Sequence, residues 1–108
     1  MSDDLGDLGR FAEPSLLILV SLGAGTRHGY GIMADVEELG GARLGPGTLY
    51  AALARLEARG LIESLPSEDR RRPYRITALG VRTLRARLAG LDELVRTGLT
   101  RLDSPTEL

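Results

Sequence analysis

The feature that most constrains the fold of this 108-residue chain is a long apolar stripe near its C-terminus. From Ala78 onward, apolar side chains recur in alternating steps of three and four residues, the spacing of a helix with a coiled-coil seam. The members of this seam are Val81, Leu84, Leu88, Leu91, Val95 and Leu102. A helix from Ala78 to Leu102 rises about 37 Å, more than one small domain can cover. We therefore expect the seam to pair with a second copy of the chain, the alternative being that it packs onto its own domain.

Two shorter helices are predicted in the first forty residues. Pro14 suits a first helical turn because its missing N–H would be unpaired there in any case. The apolar run from Leu16 to Leu22 predicts a buried helix that ends at Gly23-Ala-Gly25. A second helix is expected from about His28 to Leu39, with Thr26 near its N-cap.

A third helix is expected to open at Gly45-Pro46. Its apolar face consists of Leu49, Ala52, Leu53 and Leu56. Gly60 is at the position where a glycine in the left-handed conformation would end this helix. A short strand is predicted at Ala42 to Leu44.

A two-stranded hairpin should follow, with strands at Leu61 to Leu65 and Tyr74 to Ile76. The polar loop from Pro66 to Pro73 joins them, and Thr77 can cap the long helix. The fold class predicted is therefore mainly α with a small β-hairpin wing, a winged helix-turn-helix followed by a long C-terminal helix. Its predicted parts are a flexible acidic tail at 1–10, the winged domain at 11–77, the dimerisation helix at 78–103 and a flexible tail at 104–108.

The net charge of −1 is the sum of unlike segments. Residues 1–42 carry seven acidic residues and two Arg, a charge of −5, whereas residues 43–87 carry ten Arg and four acidic residues, a charge of +6. The remainder contributes −2. The middle segment suggests a surface that faces a polyanion, and the alternative is scattered surface Arg paired with local acids.

Several classes of protein are disfavoured by what the sequence lacks. Without Cys there is no disulfide framework, thiolate metal site or cysteine nucleophile. With His28 as the single histidine, we expect no catalytic residues, no cofactor and no metal. The chain begins Met-Ser-Asp-Asp, unlike a signal peptide, and its longest apolar run is too short to span a bilayer. We expect a soluble cytoplasmic protein without a membrane partner.

Two features indicate double-stranded DNA as the partner. The close connection of the second and third helices is typical of a helix-turn-helix, whose third helix lies in the major groove. Three consecutive guanidinium groups at a hairpin tip repel one another unless an anion such as phosphate relieves them; the alternative is a solvated loop partly neutralised by Glu68 and Asp69. The candidate DNA-binding residues are Gly47, Thr48, Tyr50, Ala51, Arg55, Arg70, Arg71, Arg72 and Tyr74.

Four segments, in this order and spacing, together resemble PadR-family transcriptional regulators over about residues 11–103. They are His28-Gly-Tyr-Gly-Ile32, Gly47-Thr-Leu-Tyr50, Leu53-Ala-Arg-Leu-Glu-Ala-Arg-Gly-Leu-Ile62 and Arg70-Arg-Arg-Pro-Tyr-Arg-Ile-Thr-Ala-Leu-Gly80. The resemblance implies a bacterial, homodimeric winged helix-turn-helix protein, usually a repressor, that dimerises through its C-terminal helix. It implies that Thr48, Tyr50 and Ala51 lie on the recognition helix. It also implies that Arg70 to Arg72 and Tyr74 lie on the wing.

Two departures from the family pattern bear on function. Many members have Pro after the Tyr of Thr-Leu-Tyr, whereas this chain has Ala51-Ala52, so the base contacts are not implied by the resemblance. A single helix after the wing matches the short subfamily, some members of which bind flat aromatic drugs at the dimer centre. This chain has no Trp and no aromatic residue in its last helix, so that type of site is not implied, and a small-molecule effector is left open.

The leading hypothesis is a sequence-specific regulator, most simply a repressor, that binds an inverted repeat as a dimer. The competing hypothesis is a winged-helix adaptor that bridges protein partners through its last helix without specific DNA binding. We interpret His28 as a helix-start residue rather than a pH sensor, and we expect Tyr30 to pack in the core or at an interface.

Overall fold

The computed structural model describes residues 14–40 and 43–104. Within these ranges the chain forms four helices and three short strands. In chain order they are α1 (Pro14–Gly23), β1 (Arg27–His28), α2 (Gly29–Glu38), α3 (Pro46–Ala58), β2 (Ile62–Ser64), β3 (Pro73–Ile76) and α4 (Ala78–Asp103). The tail expected at 1–10 and residues 105–108 lie outside the described residues. The winged helix-turn-helix fold with a long C-terminal helix is confirmed.

Helix α1 is the centre of the core. It packs against α2, α3, α4 and β3, which explains why its sequence is apolar nearly all round, because a helix covered on every side has no polar face. The other helices contribute one apolar face each. The buried core is Ile18, Leu19, Leu22, Ile32, Val36, Leu44, Leu49, Ala52, Leu53, Leu56, Ile62, Tyr74 and Leu84.

The sheet is antiparallel with the strand order β1-β3-β2. Strand β1 was not expected, because two residues are too few to show a period-two pattern in the sequence. In the register, Arg27 lies opposite Tyr74 and His28 opposite Pro73. This pairing holds the backbone extended through His28, so His28 is the N-cap of α2, and the expected cap at Thr26 is wrong.

A strand at Ala42 to Leu44 is not found in the described part of that segment, where Arg43 and Leu44 are irregular. Leu44 instead contributes its side chain to the core. The third strand of the sheet therefore comes from β1 rather than from the segment that precedes α3.

Helix α3 ends at the left-handed glycine that the sequence predicts. Gly60 has φ +76°, its N–H donates to the Glu57 carbonyl, and the N–H of Leu61 donates to the Leu56 carbonyl. This pair of bonds is the Schellman motif, which satisfies carbonyls that the helix end leaves open. It also turns the chain directly into β2.

Helix α4 begins where Thr77 ties three elements together. The Thr77 hydroxyl accepts a hydrogen bond from the N–H of Gly80 at 3.0 Å, which confirms the predicted N-cap. The same hydroxyl donates to the carbonyl of Gly60 at 2.7 Å. Only Gly80 and Leu84 of α4 are buried. The rest of the helix projects, and the molecule measures 63 × 29 × 20 Å.

Candidate nucleic-acid interface

One face of α3 is exposed from the first turn onward. Gly45 is the N-cap and Pro46 is the first helical residue, as the sequence predicts. The opposite face of the helix is anchored in the core, which fixes the exposed face against the rest of the domain. The candidate residues that are exposed on α3 are Gly47, Thr48, Tyr50, Ala51 and Arg55.

The loop between β2 and β3, residues 65–72, forms the wing. Its ends are joined by the N–H of Leu65, which donates to the Pro73 carbonyl at 2.8 Å. Inside the loop, Asp69 Oδ1 accepts from the N–H of Arg71 at 2.8 Å and from the Ser67 hydroxyl at 2.9 Å. The Arg71 bond and then the Ser67 bond lower the pKa of the Asp69 carboxyl below its ordinary value. The ionised Asp69 carboxylate thus bridges Ser67 and Arg71 and stabilises the conformation of the wing loop.

The three wing arginines are exposed, with Arg72 beside the Tyr74 hydroxyl and Arg71 beside the Asp69 carboxylate. Within the described residues, neither Arg70, Arg71 nor Arg72 forms an ion pair with a carboxylate. Arg75 on β3 behaves differently, since its Nε lies 2.6 Å from Glu63 Oε2 on β2. The wing carries three Arg against Glu68 and Asp69, a net charge of +1. Guanidinium groups outside ion pairs can donate hydrogen bonds to the oxygens of a phosphate backbone.

A cavity of about 810 Å³ separates the wing from α3 and from the start of α2. We call it the wing groove. All three tyrosines of the chain and its single histidine contribute to its lining. The side chains that line it are His28, Tyr30, Tyr50, Arg70, Arg71, Arg72 and Tyr74. Phenol hydroxyl groups and guanidinium groups can donate to phosphate oxygens, so the wing groove has the chemistry to hold a segment of nucleic-acid backbone.

Tyr74 lies at the floor of the wing groove rather than at its surface. The residue is 6% exposed and belongs to the core. Burial raises the pKa of its hydroxyl above the ordinary value, and the neighbouring Arg72 guanidinium opposes that shift. Tyr74 is thus placed to support the wing more than to reach across to a ligand.

Sequence reasoning missed Tyr30 as a groove residue. It is 79% exposed, so of the two predicted environments the core is wrong, and packing at an interface stays a prediction. The reason is that Ile32 and Val36 form the buried face of α2, and position 30 lies off that face. The spacing of Ile32 and Val36 in the sequence, which leaves position 30 off the apolar stripe, was the available signal.

Arg55 is not brought together with the wing. Its side chain lies at a second groove, between α1, α3 and α4, with a volume of about 380 Å³. Arg59 and Arg87 line the same groove, and its floor is apolar, with Leu19 and Leu56. The exposed face of α3 is therefore bordered by the wing groove at Tyr50 and by a second cationic region at Arg55.

The apolar seam of α4 divides into two parts. Leu84, which was predicted to lie at the dimer interface, is 9% exposed and packs in the core of its own domain. The other seam residues are exposed, and sequence reasoning missed Leu94 and Leu99, which are exposed as well. The exposed large apolar side chains from Val81 to the end of α4 are Val81, Leu88, Leu91, Leu94, Val95, Leu99 and Leu102.

Residues 14–40 and 43–104 contain no group of three or more His, Asp or Glu side chains that could hold a metal ion. Among the helices described, none is both long and apolar enough to cross a bilayer.

Comparison with known proteins identifies the relatives of this chain. Residues 18–86 match the family described as the transcriptional regulator PadR-like family. A crystal structure of a PadR family transcription regulator from Clostridium difficile is similar, with a TM-score of 0.74, 28% identity and coverage of 82% of this chain and 97% of that one. A transcriptional regulator from Clostridium thermocellum is 32% identical, with a TM-score of 0.69 and coverage of 88% and 96%.

One curated relative extends well beyond the matched region. It is an uncharacterized 37.1 kDa protein in transposon TN4556 of Streptomyces fradiae, 46% identical over 71 residues. The match covers 66% of this chain and 21% of that protein. The chain therefore spans about a fifth of the length of this relative.

Proposed function

Because the chain belongs to the PadR-like family of transcriptional regulators, we propose that it is a homodimeric repressor that binds an inverted repeat in double-stranded DNA. Regulators of this family are not enzymes. In the proposed complex α3 enters the major groove, and the arginine-rich wing follows the backbone or the adjacent minor groove. Such a protein acts in the cytoplasm, where bacterial DNA is transcribed.

The observation that carries this proposal is the wing groove. Tyr50 of α3 and the three wing arginines, which form no ion pair in the described ranges, border a single cavity. Gly47 has no side chain and Ala51 has only a methyl group, so α3 can approach base edges closely there, while the Thr48 hydroxyl can donate to or accept from those edges. Phosphate contacts from the wing would then fix the register of α3.

The exposed part of α4 supports the homodimer. Leu88, Leu91 and Val95 follow the seam spacing, and each remains exposed in the isolated chain. Apolar side chains that continue along a projecting helix are favourable to bury against a second copy. A two-fold dimer places two copies of α3 about one helical turn of DNA apart or a multiple of it, which predicts an inverted repeat.

Selection of bound duplexes from a random pool tests the proposal. The expected result is a palindromic consensus whose half-sites are separated by about 10 base pairs or a multiple. Enrichment of a single asymmetric site would contradict the two-fold arrangement. No enrichment at physiological salt, together with recovery of a protein partner through α4, would instead support an adaptor.

A further inference from the structure

The first residue of α2 makes an unusually close approach to the recognition helix. Gly29 follows the N-cap His28 and is buried. A Cβ atom built on Gly29 would lie 2.5 Å from the Tyr50 hydroxyl oxygen and 3.0 Å from Tyr50 Cζ. The outer end of the Tyr50 ring therefore occupies the space that any other residue at position 29 would fill.

This contact fixes the ring on one side of the wing groove. Tyr50 is half exposed on α3, and an exposed aromatic side chain without such a contact can change rotamer on the nanosecond timescale. Its hydroxyl lies beside the first turn of α2, where the helix dipole is positive. His28 and Tyr30, which flank Gly29, line the same groove.

A methyl group at position 29 would displace Tyr50 more readily than the core. The two atoms that it meets first belong to the far end of the Tyr50 side chain, which can rotate outward because that side chain borders solvent. The core residue Leu49 is farther away, with its Cδ2 at 3.4 Å. The fold can thus accommodate alanine at position 29, but the Tyr50 side chain must then move its hydroxyl away from α2.

We propose that Gly29 is a positioning residue for DNA binding. By leaving its side-chain space to Tyr50, it holds the Tyr50 hydroxyl in the wing groove, where that hydroxyl and the wing guanidinium groups contact the same stretch of DNA backbone. This inference rests on the proposed function and adds to it a residue that need not touch DNA. It also gives a physical reason for glycine in the His28-Gly-Tyr segment.

Affinities for the duplex obtained by selection test the inference in five proteins. They are wild type, Gly29→Ala, Tyr50→Ala, the double variant Gly29→Ala/Tyr50→Ala, and Gly90→Ala. The last is a matched control, because a Cβ on this helical glycine of α4 meets no atom within 4 Å. We expect Tyr50→Ala and Gly29→Ala each to weaken binding by about tenfold or more for each copy of the chain in the dimer, since each copy loses one hydrogen bond to a charged group. The double variant should bind like Tyr50→Ala alone, and Gly90→Ala like wild type.

Three results would overturn the inference. The first is wild-type affinity in Gly29→Ala. The second is a further loss when Gly29→Ala is added to Tyr50→Ala, since Gly29 would then act without Tyr50. The third applies if Gly29→Ala lowers the melting temperature so far that binding cannot be measured. In that case Tyr50→Ala must restore the melting temperature by removing the obstructing ring, and failure to restore it contradicts the contact. A wild-type protein with no duplex preference refutes the proposed function itself, which is a separate outcome.

Discussion

Replacement of Arg70, Arg71 and Arg72 by alanine should change the salt dependence of DNA binding in a calculable way. Each protein–phosphate contact releases counterions and contributes about −0.9 to the slope of log K against log salt concentration. A symmetric dimer presents six wing guanidinium groups. If all six neutralise phosphates, the triple variant should show a slope shallower by about 5.

The size of this effect makes the assay decisive. When salt rises from 50 to 200 mM, six phosphate contacts correspond to a loss of affinity of about 10³-fold. The wild type should therefore lose about 10³-fold more affinity over this range than the triple variant. Fluorescence anisotropy with a labelled duplex, repeated at four or five salt concentrations, gives both slopes. The wing is a solvent-exposed loop, so the melting temperature of the variant should stay close to that of the wild type.

Arg75→Ala is the matched control for the wing. Arg75 lies on β3 directly beyond the wing, but its guanidinium group is already paired with Glu63. Because Arg75 already neutralises a carboxylate, it should contribute little to the counterion release that accompanies DNA binding. In Arg75→Ala the slope of log K against log salt concentration should therefore change by less than one. A triple variant with unchanged affinity and unchanged slope would refute the assignment of the wing to DNA. A slope change as large in Arg75→Ala would show that total charge, not wing geometry, sets affinity.

Three further predictions follow from the same structure. Leu88→Ser should weaken the dimer, because an apolar side chain worth about 1.5–3 kcal/mol when buried is lost from each copy; sedimentation velocity measures the dissociation constant. Thr77→Ala should lower stability by about 1 kcal/mol, since the Thr77 hydroxyl caps α4, and should lower the melting temperature by about 4–8 °C. Asp69 has a lowered pKa in the folded chain, so the bond that it accepts from the Arg71 N–H should be complete above pH 3.8 and be lost only as the pH falls through the lowered value. The NMR shift of the Arg71 amide should report that midpoint.

Each of these predictions has a result that contradicts it. Unchanged self-association in Leu88→Ser, with the fold intact by circular dichroism, would remove the seam from the interface. Thr83→Ala is the control for Thr77, because it changes an exposed threonine of the same helix; equal loss of stability in both variants would exclude a capping effect. A midpoint at or above 3.8 for the Arg71 amide would show that Asp69 is not held by the wing loop.

The helices whose ends carry clear capping or terminating residues were predictable from the sequence. The N-cap Thr77, the helix-opening Pro46 and the left-handed Gly60 each serve a local backbone requirement that one residue type meets best. Their positions in the structure confirm those predictions. Because these requirements are local, they can be recognised in the sequence without knowledge of the tertiary contacts.

Features that depend on distant partners were not predictable. Strand β1 exists because Arg27 and His28 pair with β3, more than forty residues later in the chain. Leu84 matched the seam by spacing, but its depth in the core depends on where α1 packs against α4. The approach of Gly29 to Tyr50 likewise joins two helices that the sequence alone cannot orient. For the candidate site, the exposed residues of the wing and α3 were identifiable, whereas the groove that brings Tyr50 together with the wing required the fold.

The most direct test of this account is the affinity of the wild-type chain for its selected palindrome compared with a scrambled duplex of the same length at physiological salt. Specific protein–DNA complexes are typically 10³-fold or more tighter than non-specific ones. We expect a preference of at least about 10³-fold, with two chains bound per duplex. Equal affinity for the two duplexes would contradict the claim that α3 and the wing form a sequence-reading surface.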